Sequence, residues 1–182
     1  MADHAAKFPA MFTPRLRLRQ FEPKDDIGLY ACLGNQDLVR YWDFAPCKNI
    51  QEARGWVRTL SKTTQPYSAI AWAVADITTD KCIGMVNYHH REAYRRKLEI
   101  GYILQAEHHG QGLMTEAVRM VMSHCIEQLK TRRIEAIIHP DNAPSIRLAK
   151  RLGFEFEGGP LRDYWRVGDR FMSPVVYSFI AS

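Results

Sequence analysis

The stretch Glu107-His108-His109-Gly110-Gln111-Gly112-Leu113-Met114-Thr115-Glu116-Ala117 sets two glycines between an apolar strand-like run, Leu98 to Leu104, and a long helical pattern, Leu113 to Leu129. Met114, Ala117, Val118, Val121, Cys125, Ile126 and Leu129 recur three and four residues apart, so one stripe of that helix faces a core. The first N–H groups of a helix have no carbonyl partner within it, and the helix dipole adds partial positive charge there. Glycines let an anion approach the backbone and adopt dihedrals that other residues resist. The turn reads as a phosphate cradle; taken alone, its glycines fit tight strand-to-helix packing equally well.

Two familiar phosphate loops fit poorly. A Walker-type loop needs Gly-x-x-x-x-Gly-Lys followed by Ser or Thr, so that a lysine and a metal-binding hydroxyl reach the terminal phosphates. Here Gln111 and Leu113 flank Gly112, and the turn holds no lysine. A Rossmann turn asks for Gly-x-Gly-x-x-Gly and an acid near the end of the next strand. Gly110 and Gly112 supply its first half, but Thr115 replaces the third glycine and Glu135 opens the next strand instead of ending it.

At 182 residues and 46% hydrophobic content, the chain has the size of one domain with a substantial core. No run of about eighteen apolar residues occurs, and Met1 to Met11 lacks the apolar stretch of a signal peptide, so a cytoplasmic protein without a membrane partner is expected. Alanines mixed with charges mark residues 1–12 as a loosely ordered extension ahead of a domain over residues 13–182. Cys32, Cys47, Cys82 and Cys125 form no Cys-x-x-Cys pair and read as buried reduced thiols. His89-His90 and His108-His109 suggest metal ligands, but neighbours on an extended strand point to opposite faces, so neither pair chelates easily and no metal is expected. The net charge of +5 is spread out, with Arg15, Arg17 and Arg19 alternating with Leu16 and Leu18 as on a half-buried strand, so direct nucleic-acid binding is not expected. Arg91, Arg95, Arg96 and Lys97 read as a solvated hairpin, with contact to RNA or a cofactor phosphate as the alternative.

The pattern predicts a strand over Arg15 to Gln20, a helix from Pro23 to Leu33, and a second helix over Gln51 to Leu60 capped by Asn49. Strands follow at Ala69 to Ala75, Cys82 to His89 and Lys97 to Leu104. After the helix from Gly112 to Leu129 come a strand, Ile134 to Ile138, a helix, Ala143 to Leu152, and a closing strand pair near Phe154 to Arg162 and Phe171 to Ile180, with Val167-Gly168-Asp169 as its turn. This order argues for one mixed α/β (α+β) domain.

Further motifs sharpen this. Glu99-Ile100-Gly101-Tyr102-Ile103-Leu104, the turn His109 to Ala117, Asn142-Ala143-Pro144-Ser145, Arg151-Leu152-Gly153-Phe154, Glu157-Gly158, Leu161-Arg162-Asp163-Tyr164 and Pro174-Val175-Val176-Tyr177-Ser178 occur in that order. With them the chain resembles the GNAT superfamily of acetyl-CoA-dependent N-acetyltransferases, in its RimJ/RimL-like branch of ribosomal-protein N-terminal acetyltransferases, from about Thr13 to Ser178. The resemblance implies a mostly antiparallel mixed sheet flanked by helices, whose two central parallel strands splay apart to receive the pantetheine arm. It implies acetyl-CoA as co-substrate, held by Ile103 and Leu104, by His109, Gly110, Gln111, Gly112, Leu113, Met114 and Thr115 of the turn, and by Asn142 and Ser145. His109 and Met114 stand where the superfamily usually has Arg or Gln and a small residue. No metal is needed, because a helix terminus can neutralise the pyrophosphate.

Acetyl transfer requires a neutral amine, a place for the oxyanion and a proton for the departing thiolate. An α-amino group, with a reference pKa of about 8, is neutral about a tenth of the time at neutral pH, whereas lysine at about 10.4 demands far more. The resemblance makes Glu99 the candidate base; the alternative is that it pairs with an arginine of the hairpin. Ser145 matches the position near the CoA sulfur, and Asn142 the residue that holds the pantetheine; helix capping by Asn142 or Asp141 is their structural alternative. Ala149 stands where many members carry a tyrosine acid, so Tyr164 is the substitute candidate, with Ser145 able to assist and strand packing as the bland reading. The resemblance also assigns the oxyanion to a backbone N–H near Ile103.

The acceptor is then a primary amine, in the first place a protein N-terminal α-amine, with a small-molecule amine (amino acid, polyamine or antibiotic) as the alternative. Its walls are expected from Tyr41, Trp42, Tyr88 to His90 and Tyr164 to Arg166. A CoA-binding sensor without turnover is the reading of another class, suggested by Ala149 and by Ser173, where family members often carry aspartate. A homodimer is left open.

Overall fold

A computed structural model describes residues 8–62 and 69–181 of the chain. Among the described residues, eight strands form one sheet in the order β1-β2-β3-β4-β5-β6-β10-β7. They are β1 (Met11–Phe12), β2 (Leu16–Arg19), β3 (Ile70–Asp76), β4 (Cys82–Glu92), β5 (Lys97–Leu104), β6 (Arg133–Ile138), β7 (Glu155–Gly158) and β10 (Val175–Ile180). Every neighbouring pair is antiparallel except β5 and β6. That parallel pair is in register only at Lys97↔Arg133, Leu98↔Ile134 and Glu99↔Glu135. β5 runs on to Leu104 and β6 to Ile138, so the sheet opens beyond Glu99 into the expected slot.

Helices cover the two faces. Strand residues alternate between faces, and Leu98, Ile100 and Leu104 of β5 pack in one core with Leu113, Ala117, Val118 and Val121 of α4 (Leu113–Glu127) and Ala149 of α5 (Ala143–Arg151). Ile103 and Met85 face the other way, onto Leu29 and Leu33 of α1 (Asp26–Leu33), Val39 of α2 (Gln36–Val39) and Val57 of α3 (Ile50–Leu60). Asn49 caps α3 by accepting the Glu52 N–H at 3.1 Å, as its sequence predicts. The buried stripe of α4 is the one that the three-and-four spacing marks. Among the described residues no helix is long and apolar enough to cross a membrane.

The structure departs from the sequence pattern at one turn and adds to it at two places. The turn at Val167-Gly168-Asp169 joins a separate ribbon, β8 (Trp165–Val167) and β9 (Arg170–Met172), while the closing pair is β7 with β10. Of the extension over residues 1–12, residues 1–7 lie outside the described residues. The rest joins the fold: Met11 and Phe12 pair with Leu18 and Arg17, Phe8 meets Trp72 at 5.9 Å, and Trp72 Nε1 donates to the Pro9 carbonyl at 2.7 Å. The chain also forms α2, which carries too few residues to produce a periodic signal.

Candidate active site

The glycine turn has the geometry of a helix-start cradle. Gly112 is the N-cap of α4 at φ 76° and ψ 0°, and Gly110 also has φ 76°. A Cβ at Gly110 would meet nothing within 4 Å, and one at Gly112 only Arg15 Nη2 at 3.7 Å, so the backbone conformation, not space, calls for glycine. Arg15 of the first-strand loop clamps the turn from outside. Its Nη1 donates to the Gln111 carbonyl at 2.9 Å, while Nε and Nη2 grip Glu116 Oε2 at 2.8 and 2.7 Å. Glu116 also accepts from Thr13 Oγ1, and these bonds outweigh its burial to hold its carboxyl below the ordinary value. His109 Nε2 lies 2.9 Å from the Leu104 carbonyl, which ties the turn to the end of β5.

A cavity of about 620 Å³ runs from this turn through the slot. Ile103, Leu104, His109, Gly110, Gly112, Leu113, Met114, Thr115, Asn142 and Ser145 line it, all of them residues expected to hold the cofactor. Gln111, the remaining one, is absent from the lining and spends its side-chain amide on the Glu107 carbonyl at 3.2 Å. Met114 packs into the core and is 7% exposed while bordering the cavity. Asn142, and not Asp141, caps α5, its Oδ1 accepting the Ser145 N–H at 3.3 Å.

Other lining residues escaped the sequence reading. Tyr102 reaches across the slot, its hydroxyl donating to the Ser145 carbonyl at 3.3 Å, and burial pushes its pKa up to about 12. Arg40, Arg147 and Arg151 add positive charge, with Arg151 Nη1 donating to Thr115 Oγ1 at 3.2 Å. Exposed arginines carry no periodic signature that would single them out.

Glu99, Gly101 and Ile103 share the α2 side of β5, opposite His89, Asn87 and Met85 of β4. Burial pushes the Glu99 carboxyl up, but hydrogen bonds from His89 and then His90 outweigh it and hold the pKa below the ordinary value. Its partners are therefore histidines, not the arginine considered from sequence: His89 Nε2 at 3.3 Å and His90 Nδ1 at 3.1 Å. Glu135, across the parallel pair, is tied to Arg133 at 2.7 Å and Lys97 at 3.3 Å. Tyr164 is half-exposed; burial raises its pKa, helped by the negative charges of Glu99 and Glu135. Ser145 lines the cavity, whereas Glu99 and Tyr164 stand outside its lining. Tyr41 stacks on His139 with ring centroids 4.9 Å apart, under Arg40 at 4.7 Å, and forms one wall. Ser173 Oγ accepts the Asp163 N–H at 3.0 Å, so where family members often have aspartate this hydroxyl does an acceptor's work on the loop before Tyr164.

The four cysteines are free and buried, and desolvation raises Cys82 and Cys125 to about 12. Of the basic hairpin, Arg95 and Lys97 pair with Glu92 at 3.0 and 3.2 Å and Arg96 Nε donates to the Lys130 carbonyl at 2.6 Å, which makes that segment an internally paired turn.

A family model described as an acetyltransferase (GNAT) domain matches residues 15–155. An uncharacterised N-acetyltransferase of Bacillus subtilis strain 168, YoaA, is 31% identical over 173 residues, 95% of this chain and 97% of its own. The ribosomal-protein-serine acetyltransferase of Escherichia coli K12 is 33% identical over 79 residues, 43% of this chain and 44% of that one. The spermidine N(1)-acetyltransferase of the same strain is 23% identical over 151 residues, 82% and 78% of the two chains. The fold recurs in the structure of RimL, a ribosomal L7/L12 alpha-N-protein acetyltransferase in complex with coenzyme A, at a TM-score of 0.81 and 21% identity, covering 94% of this chain and 98% of that one.

Proposed function

Because the chain belongs to the GNAT acetyltransferase family, we propose that it moves the acetyl group of acetyl-CoA onto a protein N-terminal α-amine. The acetyltransferase activity comes with the family; the choice of acceptor is the proposal. The observation that carries it is the state of Glu99. A carboxylate whose two oxygens face imidazole nitrogens at 3.3 and 3.1 Å is a weak base, and a weak base serves an amine of pKa about 8 far better than one of about 10.4. Kinship with the ribosomal-protein-serine enzyme supports the same acceptor.

In this reading the pyrophosphate rests on the N–H groups of the Gly110–Thr115 turn, between Arg15 on one side and Arg151 on the other. The pantetheine follows the slot past Tyr102, Asn142 and Ser145. Glu99 takes a proton as the amine nitrogen bonds to the thioester carbon, and a β5 backbone N–H near Ile103, where pairing with β6 has ended, receives the oxyanion. As the C–S bond breaks, Tyr164 or Ser145 protonates the thiolate. The raised pKa of Tyr164 keeps its proton available at neutral pH.

A second reading has its own support. Asp37 and Asp141 line the cavity near Tyr41, and two carboxylates there suit a polyamine, the acceptor named for the spermidine relative. The sensor reading keeps Ala149 as its ground but not Ser173, whose hydroxyl takes up an acceptor role on its loop. The test is CoA release with N-terminal peptides and with spermidine, using Glu99→Gln as the variant. Turnover of peptides, with a Glu99→Gln defect that is large at neutral pH and shrinks at alkaline pH, is the expected result. A pH–rate profile unchanged by the substitution removes Glu99 as base, and turnover of spermidine alone removes the peptide acceptor.

A further inference from the structure

Two imidazoles close on one carboxylate at the acceptor end of β4 and β5. On a regular strand His89 and His90 would point to opposite faces. The register between β4 and β5 shifts after His89, and His90 takes φ 49°, so this bulge swings the second ring back to the first. His89 Nε2 and His90 Nδ1 then stand 3.3 and 3.1 Å from the two Glu99 oxygens, and the three donor atoms lie within 4.8 Å of one another.

The surroundings of His89 bear on what fills the gap. Its far nitrogen, Nδ1, lies 3.1 Å from Asn87 Nδ2, while Asn87 Oδ1 is buried and has no hydrogen-bond partner among the described residues. The two ends of a carboxamide exchange on a flip. With the amide turned, His89 Nδ1–H donates to Asn87 Oδ1, and the amide nitrogen takes the buried place that the oxygen leaves. In that tautomer Nε2 gives up its hydrogen bond to Glu99 and turns a lone pair to the carboxylate instead, an arrangement that calls for a cation between them. An outer carboxamide or carboxylate that fixes the tautomer of a histidine is the usual support of a metal ligand.

We propose that His89, His90 and Glu99 bind one borderline divalent cation of the zinc class. Two imidazole nitrogens and one carboxylate suit such an ion, with a fourth position left open toward the acceptor cleft. At bond lengths near 2.0–2.2 Å, tetrahedral neighbours stand about 3.4 Å apart. Each nitrogen stands near that spacing from a Glu99 oxygen, though each from a different one, so closing on a single ion asks for a small turn of the carboxylate or a ring. The bound ion occupies the lone pairs of Glu99 and so blocks acetyl transfer reversibly. That consequence rests on Glu99 being the base; the binding does not.

The experiment uses the tag-free, reduced, metal-stripped chain titrated with Co²⁺, read by its visible absorption, and with Zn²⁺ by calorimetry. One ion per chain is expected, with Co²⁺ displaced by Zn²⁺. His90→Ala changes an exposed side chain, and Asn87→Ala removes only the outer support; each is expected to weaken binding tenfold or more. Absence of saturable binding, or an affinity unchanged in both His90→Ala and Glu99→Gln, overturns the site and leaves a triad held by protons alone. Zn²⁺ is expected to inhibit CoA release by the native chain, and His90→Ala, measured against its own metal-free rate, to need at least tenfold more. Binding that depends on His90 without inhibition supports the site and removes Glu99 from the base role.

Discussion

Replacing Gly112 separates what the turn does for folding from what it does for the cofactor. At φ 76° and ψ 0° the residue is left-handed, and the added methyl of alanine meets only Arg15 Nη2 at an ordinary 3.7 Å. The cost of Gly112→Ala is therefore conformational, about 1–2 kcal/mol. For a chain of this size, about 2–4 °C of Tm per kcal/mol gives a fall of about 2–8 °C. Asparagine enters the left-handed region more readily, so Gly112→Asn should recover part of that loss. Cofactor binding follows a different rule, because any side chain there edges into the rim on which the phosphate rests. Losing one charge-assisted hydrogen bond of about 1.5–3 kcal/mol raises the KM for acetyl-CoA about 10- to 100-fold in both variants. Thermal unfolding and the acetyl-CoA dependence of CoA release read the two effects separately. A KM unchanged in both variants refutes the phosphate cradle, and an unchanged Tm for Gly112→Ala refutes the conformational cost.

Two further outcomes follow from the site and its border. Tyr164→Phe removes a phenol whose pKa is raised by burial and by Glu99 and Glu135; if Tyr164 is the acid, kcat falls about 10²–10⁴-fold with the KM for acetyl-CoA unchanged, and a rate within about twofold of native removes Tyr164 from that step. Arg133 holds the Glu157 carboxyl down to about 2 from an ordinary 4.5. A depressed folded-state pKa stabilises fully above the unfolded value and fades as pH falls through the folded one, so Tm should drop between about pH 4.5 and 2, less steeply in Glu157→Gln; parallel Tm–pH curves for the two proteins count against the pair.

What was legible in sequence follows from which signals are periodic. The α4 stripe, the β5 run and the glycine turn declare themselves through spacing and backbone freedom, and the residues expected at the cofactor line the cavity apart from Gln111. The partners of Glu99 could not be read, because they depend on a single register shift beyond His89 and a left-handed His90. No rule of alternation places two consecutive histidines on one carboxylate. Tyr102 was quoted within its motif but not as a site residue, since only the opening of the slot shows that its hydroxyl meets the first turn of α5. The ribbon of β8 and β9 was missed because three-residue strands are too short to alternate visibly, although its glycine turn was correctly seen as a turn.

The point where β5 and β6 stop pairing explains why the two reactants can meet at all. An intact sheet would keep the α4 face, where the glycine turn lies, apart from the α2 face, where Glu99 points. Pairing ends at Glu99↔Glu135, and the cavity beyond is lined both by Leu113, Ser145 and Leu148 of α4 and α5 and by Asp37 and Leu38 of α2 with Tyr41 just after it. On the reading in which Glu99 is the base, a thioester entering from the α4 side crosses to the α2 face past that carboxylate, which itself stands outside the cavity lining. Tyr102 and Ile103, adjacent on β5 and facing opposite ways, form the edge it crosses. The last paired residue of the parallel ladder is also the candidate base.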